Sequence, residues 1–213
     1  MALSLYLKAY DNLPYDTLYP YASTADEAIS GGDFLKFHQY LLSGGIAAGR
    51  GIEYMIQKKI KDDWYATISC SISRAEYKDQ IGIWRSRISD NQYLLCAEWG
   101  IKPWGNWELS MRWTLAGGIP YTPFLKDASA KAGIGITDDQ NTNMVRLPAY
   151  QQLNIKIEKI INFSASSLIL SLSIWNIYDH KNYASAYWNI FDQKQDFQQQ
   201  FGLLPILGVE WKL

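Results

Sequence analysis

The feature that most limits what this chain can become is alternation with period two, sustained over unusually long segments. From Trp64, one face reads Trp64, Ala66, Ile68, Cys70 and Ile72, and the other Tyr65, Thr67, Ser69, Ser71 and Ser73. From Trp107, the set Trp107, Leu109, Met111, Trp113 and Leu115 opposes Glu108, Ser110, Arg112, Thr114 and Ala116. Leu153, Ile155 and Ile157 oppose Gln152, Asn154, Lys156 and Glu158, and Leu168, Leu170, Leu172 and Ile174 oppose Ser167, Ile169, Ser171 and Ser173. The last segment puts Phe201, Leu203, Leu207, Val209, Trp211 and Leu213 on one side. Segments 2–10, 50–60 and 91–102 follow the same rule less cleanly. Side chains alternate across a strand, so this pattern predicts eight strands, each apolar on one face. No segment carries a convincing helical period, and 34–42 fits either a short strand or a loop helix. The strands run roughly 10 to 13 residues. A bilayer crossing at a 45° tilt takes about 9 to 11, whereas a globular strand averages about 5 to 6.

The connections are sorted by length. A long segment near 11–48 precedes the tight turn Lys61-Asp62-Asp63; a medium loop at 78–90 precedes the short link Pro103-Trp104-Gly105-Asn106. A long segment at 117–149 precedes a short link near 161–166, and the loop at 179–200 is long again. Parity of this kind belongs to an up-and-down sheet whose two rims face different environments, as in outer-membrane barrels with short periplasmic turns and long extracellular loops.

The polar face carries Lys8, Glu53, Glu98, Glu108, Arg112, Lys156, Glu158 and Glu210. A basic side chain at the bilayer midplane costs about 2–4 kcal/mol, so the apolar face is the one predicted to meet lipid. Its charged exceptions, Lys58, Lys159 and Arg74, lie near strand ends, where long stems snorkel to headgroups. Trp64, Trp104, Trp107 and Trp211 cluster towards the short-turn rim and Tyr77, Tyr121, Tyr150 and Tyr178 towards the long-loop rim, which predicts two aromatic girdles. Counting strands places Leu213 on the periplasmic side.

Composition agrees. Twenty basic and 21 acidic residues leave no excess of positive charge for nucleic acid. Nine Trp and 15 Tyr exclude a disordered chain. The longest near-apolar run, 201–209, is interrupted by Gly202, Pro205 and Gly208, too short and broken for a spanning helix. Cys70 and Cys96 make no framework, and alternation puts them on opposite faces. The first residues alternate as a strand does and show no export signal, so a signal is expected outside these 213 residues.

With this pattern in hand, several blocks resemble the C-terminal barrel of TonB-dependent outer-membrane receptors of the Bacteroidetes type. They are Tyr6-Leu-Lys-Ala-Tyr-Asp-Asn-Leu-Pro14, Ala48 to Ile60, Trp64 to Glu76, and Ser86-Arg-Ile-Ser-Asp-Asn-Gln92. Further along come Gly117-Gly-Ile-Pro-Tyr-Thr-Pro123, Arg146 to Lys156, Trp175-Asn-Ile-Tyr-Asp-His-Lys-Asn182 and Leu204 to Leu213. The resemblance implies import of scarce ligands (iron–siderophore complexes, cobalamin, oligosaccharides or peptides) through a 22-stranded barrel with an internal plug. It makes residues 1–213 the last eight strands, with plug and N-terminal strands absent. It implies three partners: outer-membrane lipid, the barrel-assembly machinery, and an inner-membrane energy-coupling protein acting through the missing N-terminal region. Val209, Trp211 and Leu213 stand as the assembly signal, with Leu213 where the family carries an aromatic. Two other readings fit the alternation: a self-contained eight-stranded outer-membrane barrel with a structural or adhesive role, and a soluble carbohydrate-binding β-sandwich.

Ligand contact is expected in the long loops, where Trp84, Arg85, Arg87, Tyr121, Tyr183, Tyr187 and Trp188 offer rings and guanidiniums for stacking on a sugar or siderophore. No enzyme, cofactor or metal site is predicted. His38 and His180 sit in loops, Asp179-His180 points its side chains apart, and no Cys/His ligand spacing occurs. Gly133-Ile-Gly135 lacks the Lys-Ser/Thr of a phosphate loop. Glu98, Glu108, Arg112 and Lys156 are expected to pair along the inner wall.

Overall fold

The computed structural model describes residues 1–23, 41–61, 63–103 and 105–213. Eight long strands form an antiparallel meander: β1 (Ala2–Asp16), β2 (Leu41–Lys61), β3 (Trp64–Lys78), β5 (Tyr93–Ile101), β6 (Trp107–Ala116), β9 (Tyr150–Asn162), β10 (Ser167–Trp175) and β13 (Leu204–Lys212). Each pairs with the next in that order, and the short β4 (Trp84–Ser86) adds to the top of β3. Two small ribbons lie in the long connections: β7 (Pro120–Tyr121) with β8 (Val145–Arg146), and β11 (Tyr183–Asn189) with β12 (Lys194–Gln199). A short helix, α1 (Lys126–Ala132), ends on Gly133 in the left-handed conformation (φ 69°). The expected strands and sorted loops are thus present. The ladder joins β1 through β13 without joining β13 back to β1, so the described sheet is open rather than a closed barrel. Of the segment left open at 34–42, Leu41 and Leu42 belong to β2; its remainder, with His38, Asp62 and Trp104, lies outside the described residues.

Register places the alternating sets in continuous rungs. Leu5, Ile52, Ile72 and Tyr93 share one rung, and Trp64, Ile101, Leu109, Ile157, Leu172 and Leu207 another. On the opposite face run Gln57, Thr67, Glu98, Arg112 and Asn154, and below them Tyr65, Gly100, Ser110, Lys156 and Ser173. Cys70 pairs across from Leu95 on the apolar face and Cys96 from Ser69 on the polar face, and both are free thiols. On the polar face, Tyr65 lies over Gly100, and Tyr6 covers Gly51 in the same way, so a Cβ at either glycine would run into the ring.

The long-loop girdle needs correction. Trp64, Trp107 and Trp211 do stand on the apolar face, and Lys58 and Lys159 rest their ammonium groups 3.6 and 4.6 Å from the Trp64 and Trp107 rings. Tyr77 and Tyr150, however, are one residue out of phase with the apolar set and face the polar side. Tyr77 is buried and donates its hydroxyl to the Tyr21 carbonyl at 2.7 Å. Tyr121 lies in β7, packed among loop residues, and Tyr178 in the last loop is 57% exposed. Position near a rim was legible in the sequence; the face, set by parity, outranks it.

The buried residues are not between layers. Among those described, the buried residues other than glycine gather at the long-loop rim: Asp16, Ala47, Tyr77, Asp79, Arg85, Asp90, Ala116, Pro120, Ser129, Asn143, Leu147, Asn176, Asn182 and Trp188, while Gly100 is buried beneath Tyr65 nearer the short turns. The described residues leave the apolar face of the strands uncovered. Leu3, Leu5, Leu7, Ile52, Ile56, Ile68, Ile72, Leu207 and Val209 are between 45% and 82% exposed.

Candidate functional site

The long-loop rim is built on two ion pairs with buried carboxylates, Asp79–Arg85 and Asp90–Arg146. Asp79 opens the connection after β3, and its Oδ1 accepts the backbone N–H groups of Ile81 and Ile83 at 3.1 and 2.7 Å. Its Oδ2 accepts Arg85 Nε at 2.6 Å, with both side chains essentially inaccessible. Arg85 also donates to the Gln140 and Thr142 carbonyls at 2.9 and 3.3 Å, tying this connection to the one carrying α1. Asp90 performs the second junction. It accepts the Ala75 N–H at 3.1 Å, the Ser86 hydroxyl at 3.1 Å, and Arg146 from β8. Arg146 in turn donates to Gly118 O at 3.0 Å and Ser86 Oγ at 2.9 Å. Two buried carboxylates paired and fully hydrogen-bonded in this way fix the loops, because removing either partner would strand a charge out of water.

A second set of contacts at this rim is aromatic. Tyr121 meets Phe197 edge-on at 6.0 Å, Tyr183 meets the same ring at 5.4 Å, and Phe124 lies 6.1 Å from Trp188. Gln195 donates to the Tyr121 hydroxyl at 3.0 Å. This packing joins the β11–β12 hairpin to the segment that carries α1. Trp188 Nε1 is buried without a partner among the described residues.

Beside these contacts opens a cavity of about 480 Å³, lined chiefly by Tyr19, Tyr21, Tyr77, Thr122, Asp139 and Asn143. The Arg85 guanidinium lies over the Tyr21 ring, 5.3 Å from its centroid. Rings, hydroxyls and one exposed carboxylate suit a ligand with both an apolar face and hydrogen-bonding groups.

The seven sequence-predicted contacts therefore divide. Trp84 and Tyr187 are exposed at 46% and 42%. Arg87 is half-buried, its N–H donating to the Ala75 carbonyl at 2.9 Å. Tyr121, Tyr183 and Trp188 pack within the loops. Arg85 is a correction: its guanidinium is enclosed by Asp79 and two carbonyls, which makes it a loop anchor rather than a ligand contact. Tyr19, Tyr21, Asp139 and Asn143 were missed, because nothing in the chain's periodicity marks which loops converge. Asp179 and His180 do diverge: Asp179 Oδ1 accepts the Leu203 N–H at 3.0 Å, and His180 Nδ1 lies 3.1 Å from Gln151 Nε2. On the polar face Glu98 pairs with Arg112, Lys102 with Glu108 at 3.5 Å, and Lys156 with Glu158 at 2.8 Å. At the other end of the molecule, Val209 and Trp211 lie on the apolar face of β13, and Leu213 is fully exposed. Among the described residues no cluster of three or more His, Cys, Asp or Glu is arranged to hold a metal, and no helix is long and apolar enough to cross a membrane.

Comparison with family models and with curated proteins returned no match for the chain.

Proposed function

We propose that the chain forms part of the barrel wall of a TonB-dependent outer-membrane receptor that imports a scarce ligand, an iron–siderophore, cobalamin, an oligosaccharide or a peptide. One observation carries the reading: eight consecutive long strands present a continuous apolar face that nothing among the described residues covers. Leaving a Leu, Ile or Val side chain in water instead of burying it forfeits about 1.5–3 kcal/mol, and this face repeats that loss rung after rung. Hydrocarbon removes it. The sorted loops, the Trp-backed lysines at the short-turn rim and the ordered blocks of resemblance support the same reading. A β-sandwich needs a second sheet about 10 Å away across that face, and no such layer appears among the described strands. A self-contained eight-stranded barrel needs a filled interior, whereas the polar rungs here are rich in Ser, Thr and Gly.

The wall would act with outer-membrane lipid, with the assembly machinery at β13, and with a plug and energy-coupling protein on the polar side. The test is twofold. The chain, exported in a Gram-negative host, is expected in the outer-membrane fraction, with gel mobility that changes on heating. Disruption of the gene in its own host is expected to abolish growth on one scarce ligand. Recovery in the soluble fraction with heat-independent mobility would overturn the membrane reading, and undiminished growth on every candidate ligand the import reading.

A further inference from the structure

On the apolar face, Leu7, Arg50 and Arg74 share one rung across β1, β2 and β3. Directly beneath them run Leu5, Ile52 and Ile72. A cavity of about 530 Å³ opens on this patch, walled by those leucines, isoleucines and both arginines. Both arginine side chains are exposed, 64% for Arg50 and 51% for Arg74. Glu76, two residues beyond Arg74, reaches Arg50 at 3.3 Å and Arg74 at 3.7 Å. It holds the two groups side by side, and two guanidiniums with one carboxylate leave a single positive charge.

The height of this patch matters. Arg74 lies ten residues along β3 from Trp64. At about 3.3 Å per residue and a tilt near 45°, that is roughly 23 Å above the short-turn rim. An apolar barrel band is about 25 Å tall, so the arginines sit at its far border, level with the headgroups on the long-loop side. The lysines of the short-turn rim differ, for each rests on a Trp ring. Here two forks with donors to spare stand over an apolar trough.

Resting on the transmembrane reading above, we propose that this groove binds an anionic phosphate-bearing lipid. The phosphate is clamped between Arg50 and Arg74, and an acyl chain lies along Leu5, Ile52 and Ile72. Guanidinium forks match phosphate oxygens in pairs, which an ammonium does not. The trough below continues the hydrocarbon surface, so one molecule satisfies charge and apolar area together.

The test uses the full chain refolded in detergent and examined by native mass spectrometry with phosphatidylglycerol or phosphatidylcholine, each with and without inorganic phosphate. Vesicle flotation is run in parallel. Phosphatidylglycerol is expected to be retained in preference to phosphatidylcholine and to persist against inorganic phosphate. The double substitution R50Q/R74Q is expected to lower its retention about tenfold or more, the scale of one lost charge-assisted bond. R50K/R74K should restore part of it. Equal retention of both lipids, or a preference untouched by R50Q/R74Q, overturns the lipid site while flotation leaves the membrane reading standing. Displacement by inorganic phosphate reassigns the site to a free anion and overturns the lipid. Failure to float removes both proposals together.

Discussion

Arg85 and Arg50 are the same residue type, yet one is locked beneath the loops and the other stands open on the strand wall. The difference lies in partners. Asp79, six residues before Arg85, is itself buried and receives two backbone N–H groups, so the pair is a structural joint. Arg85→Met is expected to destabilise the folded chain by about 3 kcal/mol, because it leaves the buried Asp79 carboxylate without its cation. Limited proteolysis should then cut within 79–92 faster than in the parent, and an unchanged pattern would count against the joint. Trp188 offers the complementary case, a buried indole N–H without a described partner. Trp188→Phe removes that unpaired donor while keeping a ring against Phe124, so stability is expected to hold or rise slightly. Trp188→Ala should cost about 3 kcal/mol or more. Urea unfolding midpoints separate the two. At this scale the sequence showed residue type and loop location. It did not show that Gln140, Thr142 and Arg85 meet, since those contacts cross more than fifty positions.

Strands declared themselves where apolar and polar residues alternate without interruption. β6, β9 and β10 were legible for that reason. The first half of β2, Leu41 to Gly49, was not, because its Gly and Ala residues carry no facial contrast; its strand conformation is supplied by pairing with β1 and β3. The end of β1 was obscured by Asp11, Asn12 and Pro14. It continues through two register shifts with Asn12 at φ 57°, and Pro14 is tolerated because it sits directly at the second shift, where the ladder is irregular. The β11–β12 hairpin was hidden in a polar loop and is held by aromatic packing on its neighbours. For β13, Trp211 stacks on Phe163 at 5.4 Å, which fastens the strand end to the short turn before β10. Trp211→Ala is expected to lower the level of chain assembled in the outer membrane several-fold, while Trp211→Phe retains it. Equal assembly of the two, measured by heat-modifiable mobility in isolated membranes, would remove Trp211 from the assembly signal.

For the molecule as a whole, one question outranks the rest: which face of the sheet meets water. Pairing alone leaves it open, since an antiparallel meander is compatible with either answer. The eight strands alternate in direction, so β1 and β13 run antiparallel to each other. Closure therefore takes either no additional strand or an even number of them, as bacterial barrels require. A wide barrel leaves the polar rungs wet, a self-closed eight-stranded one packs them dry, and a sandwich would bury the apolar rungs instead. The two native thiols report on all three. Cys70 faces the apolar side beside Leu95, and Cys96 faces the polar side near Thr114. In vesicles containing the full chain as part of a wide wall, a charged, water-soluble maleimide is expected to modify Cys96 and spare Cys70. A lipid-soluble maleimide should reach Cys70. Cys96→Ser should abolish labelling by the charged reagent and Cys70→Ser should leave it intact. Protection of Cys96 together with labelling of Cys70 by the charged reagent would invert the assignment of faces. Protection of Cys96 from the charged reagent, with Cys70 still reached from the lipid, would point to a dry, filled interior and restore the small barrel in place of the receptor wall.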